Sequence, residues 1–499
     1  MGGKNLGSHT TVKPWRGLVS LESFVPPVQA ALSIFPSKQL ESGSKEYFPR
    51  IIPRMRAFSP KVAVMNSKAK PKRLTAFAVP GTWKHPKSKR SHSTSLEPCD
   101  IGEFHFLVKQ EAKGDLRKDA RVQDLNAVVN RLIDSGVKST SSLASHSRRL
   151  RLRTFAVTCM SEDTGVLEWV PDTDCFRNLI KKSYNDQTTP FCRRRRGEKL
   201  ADFDDSSFRR MYDKAQHLFF HDGNLAGAAS EFGQLCCEAP PVFSWWFVHA
   251  FNIDAHAWYE ARLCFALSAA AWSAVGHVIG LGDRHTENML VETATGRLLH
   301  VDFDCIFDKA LNLPRPGEIS WRNQHKCNHL VTMLTVSPCF FPSLVVEIVP
   351  FRLTANMIDA FGPTGADGMY KRGMESTFQI LRVNQDTLLS VLEPFIKDPV
   401  IDWRRIKSSQ GSSPRSREDS FYRAKRSISV IQERLRGVFI SRNPNYRKLR
   451  NIMHDYGAHK EDMTEVLPLS VEGQVQKLCQ EATKKENLVQ LYIGWMPWL

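Results

Sequence analysis

The sequence predicts an α+β protein in which a strand-rich first portion precedes a longer helical portion. Two stretches with the apolar alternation of strands come first, at residues 74–81 and 102–109. A helical spacing follows, because Val122, Leu125 and Val129 recur at intervals of three and four residues. Residues 150–157 again read as a strand, and long apolar and Ala-rich stretches come next. We therefore expect two lobes, the first built on a sheet and the second on helices.

Composition indicates a chain with a sizeable core and a strong positive charge. Its 499 residues have room for two or three domains, and 42% hydrophobic residues support a sizeable core. The net charge of +17 is concentrated in runs such as residues 68–73, 87–90 and 193–196. Such runs meet nucleic acid, acidic partners or an import receptor in some proteins, but most are only solvated, so direct nucleic-acid binding stays open.

The cysteines and the apolar runs indicate in which cellular compartment the protein is expected. The 11 cysteines include no C-x-x-C pair, which favours reduced thiols in the nucleus or cytosol. The N-terminus has no apolar core of a signal peptide. One run, residues 263–282, approaches the length of a membrane span, but its Ala and Ser content and its internal His277 favour a buried helix. We therefore expect no transmembrane segment.

Residues 276–307 contain the groups that a phosphoryl transfer requires. The reaction needs an acceptor for the proton of the attacking hydroxyl, oxygen ligands for Mg²⁺ and positive charge near the phosphoryl oxygens. A loop supplies Asp283, His285 and Asn288, and a hairpin then leads to a strand that ends at Asp302. We expect these four side chains to lie together, with the hairpin turning at Thr295 and Gly296.

The spacing of these residues resembles a known family. Ordinary protein kinases place a catalytic Asp and a metal-binding Asn five positions apart and then carry D-F-G. Asp283 and Asn288 keep that offset, but the His follows the Asp, giving D-R-H. The pattern G-L-G-D-R-H-x-x-N followed by V-D-F resembles the phosphatidylinositol-3-kinase-related kinases. The resemblance implies a bilobal PI3/PI4-kinase-like catalytic domain that uses ATP with Mg²⁺, or with Mn²⁺ in its place.

The resemblance also implies roles for individual residues in the catalytic segment. Asp283 would orient the substrate hydroxyl and accept its proton, and His285 would stabilise charge on the transferred phosphoryl group. Asn288 and Asp302 would hold the metal ion.

Further candidates for ATP binding lie earlier in the chain. Lys109 ends a predicted strand and precedes D-L-R-K-D, a motif of the family, which implies that its ammonium group contacts the α- and β-phosphates. Asp119 is the first choice for the carboxylate that holds this lysine, and Asp124 is the second. Residues 165–170 resemble the hinge, where the backbone of Val170 and the ring of Trp169 would bind adenine.

The predicted domains follow from these motifs. They are a lead-in similar to that of ATR-type checkpoint kinases (1–73), the small lobe and hinge (74–170), the large lobe with catalytic loop and activation segment (171–404), a linker with a basic helix (405–468) and a stretch that resembles the FATC motif (469–499). The long helical-repeat region that precedes the lead-in in that family has no counterpart here, so we expect a fragment or a truncated gene model.

Two stretches depart from the family pattern. About twenty residues, 82–101, replace a short glycine-containing turn between two small-lobe strands, and about thirty residues, 319–346, enlarge the activation segment. An insertion in the mature protein and an unspliced intron both explain such stretches. The second stretch contains four potential zinc ligands whose spacing fits no standard site: His325, Cys327, His329 and Cys339.

The resemblance implies a nuclear serine/threonine protein kinase of the ATR type, acting in DNA-damage and replication-stress checkpoint signalling. Such kinases favour Ser or Thr followed by Gln and work with an adaptor that recognises coated single-stranded DNA. Two alternatives stay open. An inositol phospholipid kinase uses the same D-R-H-x-x-N loop, and a catalytically impaired scaffold would explain the two departures from the pattern.

Overall fold

The structure is a computed structural model that describes eleven stretches of the chain: residues 6–11, 51–65, 70–82, 102–111, 115–138, 150–186, 206–252, 254–312, 348–398, 417–439 and 468–499. The chain divides into a first unit, residues 1–127 with 153–173, and a second unit, residues 128–152 with 174–499. Residues 83–101 and 319–346, with the four potential zinc ligands, lie outside the described stretches.

The first unit is built on a sheet of antiparallel strands. In its described residues they are β1 (Leu6–Thr11), β2 (Ile51–Phe58), β3 (Lys61–Met65), β4 (Lys72–Thr82), β5 (Gly102–Gln110), β6 (Val157–Cys159) and β7 (Thr164–Glu168). The order is β1-β3-β4-β5-β7-β6, and β2 also pairs with β4. Met55, Ala76 and Phe106 form a buried cluster, because alternate residues of neighbouring strands face the same side.

Strand β4 corrects one expectation from the sequence. Residues 74–81 were predicted to be the first strand of the small lobe, but three strands precede β4 and pair with one another or with it. Pro53 of β2 lies directly opposite Pro80 of β4. Proline cannot donate a hydrogen bond to the ladder and is rare inside strands, so the sequence signal of this region is weak.

A second correction concerns residues 150–157, which were predicted to form a strand. Only the last of them belongs to one, since β6 begins at Val157. The N–H of Leu152 donates to the side chain of Asn130 (2.9 Å), and the N–H of Phe155 donates to the side chain of Gln123 (3.2 Å). These backbone groups therefore bond to helix side chains instead of a neighbouring strand.

The second unit is mainly helical, as predicted. Its described residues include a sheet in the order β10-β9-β8, made of β8 (Thr173–Cys175), β9 (Met289–Glu292) and β10 (Leu298–His300). The helices of the described chain are α1 (Arg117–Lys138, which begins in the first unit), α2 (Phe176–Asn185), α3 (Ser206–Phe220), α4 (Leu225–Glu238), α5 (Phe243–Ala250), α6 (Ala255–Ile279), α7 (Ala355–Phe361), α8 (Met369–Val383), α9 (Gln385–Lys397), α10 (Arg417–Arg436), α11 (Val471–Thr483) and α12 (Lys485–Leu488).

Helix α6 forms the centre of the second unit. Its residues from Leu263 to Ile279 are all buried, on every face of the helix, which is typical of a helix surrounded by protein. In the described part of the chain it is the one helix long and apolar enough to cross a membrane, and 94% of its most apolar window is buried inside the protein. The side chain of Asp254 caps its first turn by accepting from the N–H groups of His256 and Ala257.

The C-terminal segment, residues 468–499, packs against α3. Its helix α11 is capped by Ser470, whose hydroxyl accepts from the N–H of Gly473 (3.1 Å). The hydroxyl of Tyr212 lies 2.8 Å from the carbonyl oxygens of both Leu488 and Leu491. The ring of Trp498 is buried at 5.0 Å from that of Tyr212. The aromatic end of the chain is therefore part of the core of the second unit.

Gly280 ends α6 in the left-handed conformation, with φ of +65°. A Cβ at this position would lie 2.7 Å from both the backbone nitrogen and Oδ1 of Asp308. Gly223 has the same φ of +65°, but nothing lies within 4 Å of where its Cβ would be. A comparison of the two glycines therefore isolates the cost of the contact with Asp308, because both positions share the same backbone conformation.

We predict that Gly280→Ala destabilises the protein more than Gly223→Ala. Both variants carry the cost of a left-handed L-residue, about 1 kcal/mol, and only Gly280→Ala also displaces Asp308. We expect the thermal unfolding midpoint of Gly280→Ala to lie lower than that of Gly223→Ala by about 1–2 °C or more, since the shift for about 1 kcal/mol decreases as the unfolding unit grows. Equal unfolding midpoints for the two variants, measured by circular dichroism, would show that a Cβ at position 280 does not clash with Asp308.

Candidate active site

The predicted catalytic loop and the strand that ends at Asp302 lie side by side. Strands β9 and β10 pair with Met289 opposite His300, and the N–H of Val301 donates to the carbonyl of Asn288 at 3.0 Å. The hairpin turn is closed by the N–H of Gly296, which donates to the carbonyl of Glu292 at 2.8 Å. The turn predicted at Thr295 and Gly296 is therefore confirmed, and the ladder places Asp302 next to the loop.

Arg284 links the two sides of the site, although sequence reasoning gave it no role. Its buried guanidinium group donates to the carbonyl of Gly282 (2.9 Å), to that of Val301 (2.9 Å) and to that of Asp302. One side chain thus holds the residue before Asp283 and the backbone of Asp302. The one signal in the sequence was its position inside the D-R-H motif.

Asp283 and Asp302 share an uncommon backbone conformation. Their φ angles are +60° and +63°, in the left-handed region that few residues other than glycine adopt. Aspartate tolerates this region better than most residues, and such strained positions concentrate at functional sites, where the surrounding structure maintains them. The hydrogen bonds of Arg284 provide that support on both sides.

Asn288 and Asp302 provide oxygen ligands that fit Mg²⁺. The side-chain NH₂ of buried Asn288 donates to the carbonyl of Asp283 at 3.0 Å, so its amide oxygen is the atom left for a metal ion. The stretches that the structure describes contain no group of three or more His, Cys, Asp or Glu side chains suited to a metal. Mg²⁺ needs no such cage, because it is usually held by one or two protein ligands together with phosphate oxygens and water.

His285 is a neutral hydrogen-bond donor. Its Nδ1 accepts from the backbone N–H of Glu287 at 3.2 Å, so the neutral ring carries its proton on Nε2. Burial, followed by the nearby charge of Arg284, lowers the pKa of His285 from 6.5 to about 4. The Asp302 carboxylate is also close enough to influence this pKa. The imidazole can therefore donate one hydrogen bond within the site without carrying a charge.

Helix α2 supports the far side of the loop through residues that sequence reasoning missed. The backbone N–H of Arg177 donates to the carbonyl of Thr286 at 3.3 Å, and its guanidinium group pairs with Glu287 at 3.2 Å. Two independent contacts thus fix the outer half of the loop.

Comparisons with known proteins agree with this geometry. Residues 104–405 match the family model described as phosphatidylinositol 3- and 4-kinase, and residues 468–499 match the FATC domain. The chain belongs to the phosphatidylinositol 3- and 4-kinase family. The predicted resemblance and the α+β, bilobal kinase fold with a C-terminal FATC segment are confirmed.

The curated relatives are protein kinases by name. The chain is 34% identical to the serine/threonine-protein kinase ATR of Arabidopsis thaliana over 79% of its own length and 12% of the relative's. It is 32% identical to protein kinase rad3 of Schizosaccharomyces pombe over 94% of its length and 15% of the relative's. It is 31% identical to the serine/threonine-protein kinase MEC1 of Candida albicans over 96% of its length and 16% of the relative's. The chain thus spans a small part of each relative.

Solved structures of the family share the fold. The structure titled "FAT and kinase domain of CtTel1" superposes with a TM-score of 0.62 at 23% identity and covers 91% of this chain and 24% of that one. The "open conformation of CtTel1" gives the same TM-score of 0.62 and covers 91% of this chain and 13% of that one. At this identity the likeness concerns the fold alone.

The first unit of this family member carries the residues predicted to bind ATP. Lys109 lies on β5 opposite Gly165 of β7, and its ammonium group forms an ion pair with Glu111. Glu111 was not among the predicted partners. Asp119 is buried in the first turn of α1, and Asp124 is exposed one turn further on. The pairing of Lys109 with Asp119 stays a prediction.

The predicted hinge residues already have partners within the first unit. The guanidinium group of Arg73 lies 4.6 Å from the ring centroid of Trp169, so it covers part of the ring. The backbone N–H of Trp169 donates to the carbonyl of His105 at 2.9 Å. The carbonyl of buried Val170 accepts from the hydroxyl of Thr173 at 3.0 Å. The adenine contacts of Trp169 and Val170 stay predictions.

We predict that Arg284→Lys destabilises the protein even though it keeps the charge. An ammonium group cannot reproduce the planar fork that reaches three carbonyl groups, and each hydrogen bond to a charged group contributes about 1.5–3 kcal/mol. We expect the unfolding midpoint to fall by several degrees. Arg372→Lys, in an exposed ion pair with Glu375, is the matched control and should change little. Equal unfolding midpoints for the two variants would show that the three hydrogen bonds of the Arg284 guanidinium group do not stabilise the protein.

Proposed function

We propose that this chain is the catalytic portion of a serine/threonine protein kinase that transfers the γ-phosphate of ATP to protein substrates. The observation that carries the proposal is the arrangement around Arg284, which holds the backbone of Asp302 beside the loop of Asp283, His285 and Asn288. The FATC match at residues 468–499 and the names of the curated relatives support the choice of protein over lipid as substrate.

The site residues have distinct chemical tasks in this proposal. Asp283 orients the substrate hydroxyl and accepts its proton. The Nε2–H of His285 donates to an oxygen of the transferred phosphoryl group, where negative charge concentrates. Asn288 and Asp302 are the residues that would hold Mg²⁺, which neutralises phosphate charge and orients the γ-phosphate when it is bound. In the first unit, Lys109 contacts the α- and β-phosphates, while Trp169 and Val170 bind adenine.

We further propose an ATR-type role in DNA-damage and replication checkpoint signalling in the nucleus. The support is that relatives in plants and fungi carry the names ATR, rad3 and MEC1. By resemblance to that type, the substrates contain Ser or Thr followed by Gln, and an adaptor subunit connects the kinase to single-stranded DNA.

The two alternatives make different predictions in one experiment. The purified chain would be incubated with labelled ATP·Mg²⁺ and either a peptide containing Ser-Gln or phosphoinositide vesicles. Labelling of the peptide alone supports the proposal, and labelling of the lipid alone supports a phospholipid kinase. Labelling of neither, together with no heat of ATP·Mg²⁺ binding in calorimetry, would identify a scaffold.

We predict that Asp283→Asn and Asp302→Asn each lower kcat by about 100-fold or more, since loss of a proton acceptor or a metal ligand typically has this effect. Asparagine tolerates the left-handed backbone at both positions, so the fold should persist. Asp367→Asn, on the surface of the second unit, removes the same charge and should leave kcat unchanged. Near-normal kcat in Asp302→Asn would defeat the assignment.

We predict that His285 contributes no ionisation between pH 5.5 and 8 to the pH profile of kcat/KM, which reports the groups of the protein before substrate binds. Its pKa is lowered to about 4, so the imidazole is already neutral across this interval and gains a proton only below it. His285→Gln, which keeps a neutral donor, should lower kcat/KM without changing the shape of the profile. A wild-type inflection near pH 6.5 that vanishes in the variant would contradict a neutral His285.

A further inference from the structure

Asp308 fixes the chain that follows Asp302 against the end of helix α6. The N–H of Phe307 donates to the carbonyl of Ile279 at 2.9 Å, and the N–H of Asp308 donates to the carbonyl of Gly280 at 3.0 Å. Gly280 leads directly into the catalytic loop. The start of the activation segment and the start of the loop are therefore joined at one place.

The backbone between Asp302 and Asp308 is strained. Among the described residues other than glycine, seven have positive φ, and three of these are Asp302 (+63°), Phe307 (+55°) and Asp308 (+59°). Each such residue costs about 1–3 kcal/mol and persists only where surrounding contacts hold it. A segment of this kind relaxes when its contacts are removed.

Arg434 of helix α10 supplies such a contact. Its Nη2 lies 2.9 and 2.8 Å from the two carboxylate oxygens of Asp308, and its Nη1 lies 3.4 Å from the carbonyl of Val278 in the last turn of α6. The Arg434 side chain is 2% exposed and that of Asp308 is 18% exposed. Charge-assisted hydrogen bonds in such a shielded place are strong and depend closely on geometry.

The position of Arg434 depends in turn on the C-terminal segment. The side-chain NH₂ of Gln474 in α11 donates to the carbonyl of Arg434 at 2.8 Å, and Arg382 of α8 donates to the amide oxygen of Gln474 at 2.8 Å. The N–H of Leu469 donates to the carbonyl of Gly437 at 3.0 Å. A series of hydrogen bonds thus runs from the FATC helix through α10 to Asp308.

We propose that Arg434 is a positioning residue for phosphoryl transfer, through which α10 and the FATC helix set the position of the metal ligand Asp302. Arg434 touches no reacting atom. It holds Asp308, and Asp308 holds the strained backbone that carries Asp302. This inference rests on the kinase function proposed above, because its effect is read as a changed Mg²⁺ requirement.

The test uses the whole chain and the variants Arg434→Gln, Arg434→Lys, Asp308→Asn and the double variant Arg434→Gln/Asp308→Asn. Loss of a residue that orients a metal ligand typically costs about 10-fold to 100-fold in metal affinity or activity. We expect Arg434→Gln and Asp308→Asn each to raise the Mg²⁺ concentration for half-maximal activity by about 10-fold. Because both act through one contact, the double variant should be no worse than the more affected single variant. Arg434→Lys, which keeps the charge, should recover part of the loss.

Tyr212→Phe is the matched control for a loss of stability alone. It removes a buried hydroxyl that contacts the carbonyl groups of Leu488 and Leu491, and it leaves Arg434 and Asp308 unchanged. We expect it to lower the unfolding midpoint without changing the Mg²⁺ requirement. Hydrogen exchange gives a second readout that needs no activity: the amides of Phe307 and Asp308 should exchange faster in Arg434→Gln than in Tyr212→Phe.

The outcomes separate this inference from the proposed function. If wild-type protein transfers no phosphate, the kinase proposal fails, and the exchange comparison still decides whether Arg434 holds the segment. If wild-type protein is active while Arg434→Gln keeps the wild-type Mg²⁺ requirement and the exchange rates of Tyr212→Phe, the positioning role is wrong. Should Arg434→Gln fail to fold, Arg434→Lys and the double variant provide the same comparison.

Discussion

The active site depends on one buried cation whose hydrogen-bond acceptors, among the residues that the structure describes, are backbone carbonyl groups and not acidic side chains. Burying a guanidinium group is costly unless its donors are satisfied, and Arg284 meets this requirement with the backbone carbonyls of Gly282, Val301 and Asp302. The loop and the end of β10 therefore cannot separate without exposing unpaired donors to an apolar interior. This constraint explains how Asp283 and Asp302 can both keep a left-handed backbone.

Aromatic packing from helix α6 supports the residues on either side of Asp302. Trp272 of α6 stacks on His300 with ring centroids 4.5 Å apart, and its centroid is 5.9 Å from that of Phe303. The same apolar surroundings act on nearby titratable groups, since burial raises the pKa of Cys305 to about 12. Mg²⁺ prefers oxygen ligands to sulfur, so Cys305 would not compete with Asp302 for it.

The proximity of the loop residues and Asp302 could be predicted from the sequence because their geometry is local. Asp283 and Asn288 share one loop, and Asp302 follows after a short hairpin, so few arrangements of the chain keep them apart. The partners that were missed depend on contacts distant in sequence: Glu287 with Arg177, and Asp308 with Arg434. The strand predicted at residues 150–157 failed for a related reason, because helix side chains take the backbone bonds that a ladder would use. Periodicity shows which residues are apolar but not which distant polar group will bond to a backbone.

The enlarged activation segment is compatible with catalysis, because the structure fixes the chain on both sides of it. Arg434 holds Asp308 before residues 313–347, and buried Arg352 lies shortly after them. Arg352 donates to the carbonyl oxygens of Trp495 and Met496 at 2.6 and 2.9 Å and stacks on the Trp495 ring at 4.2 Å. The entropic cost of closing a loop rises by only about 0.6 kcal/mol for each doubling of its length. Extra residues between two such anchors therefore need not displace Asp302, and their presence alone does not favour a scaffold over a kinase.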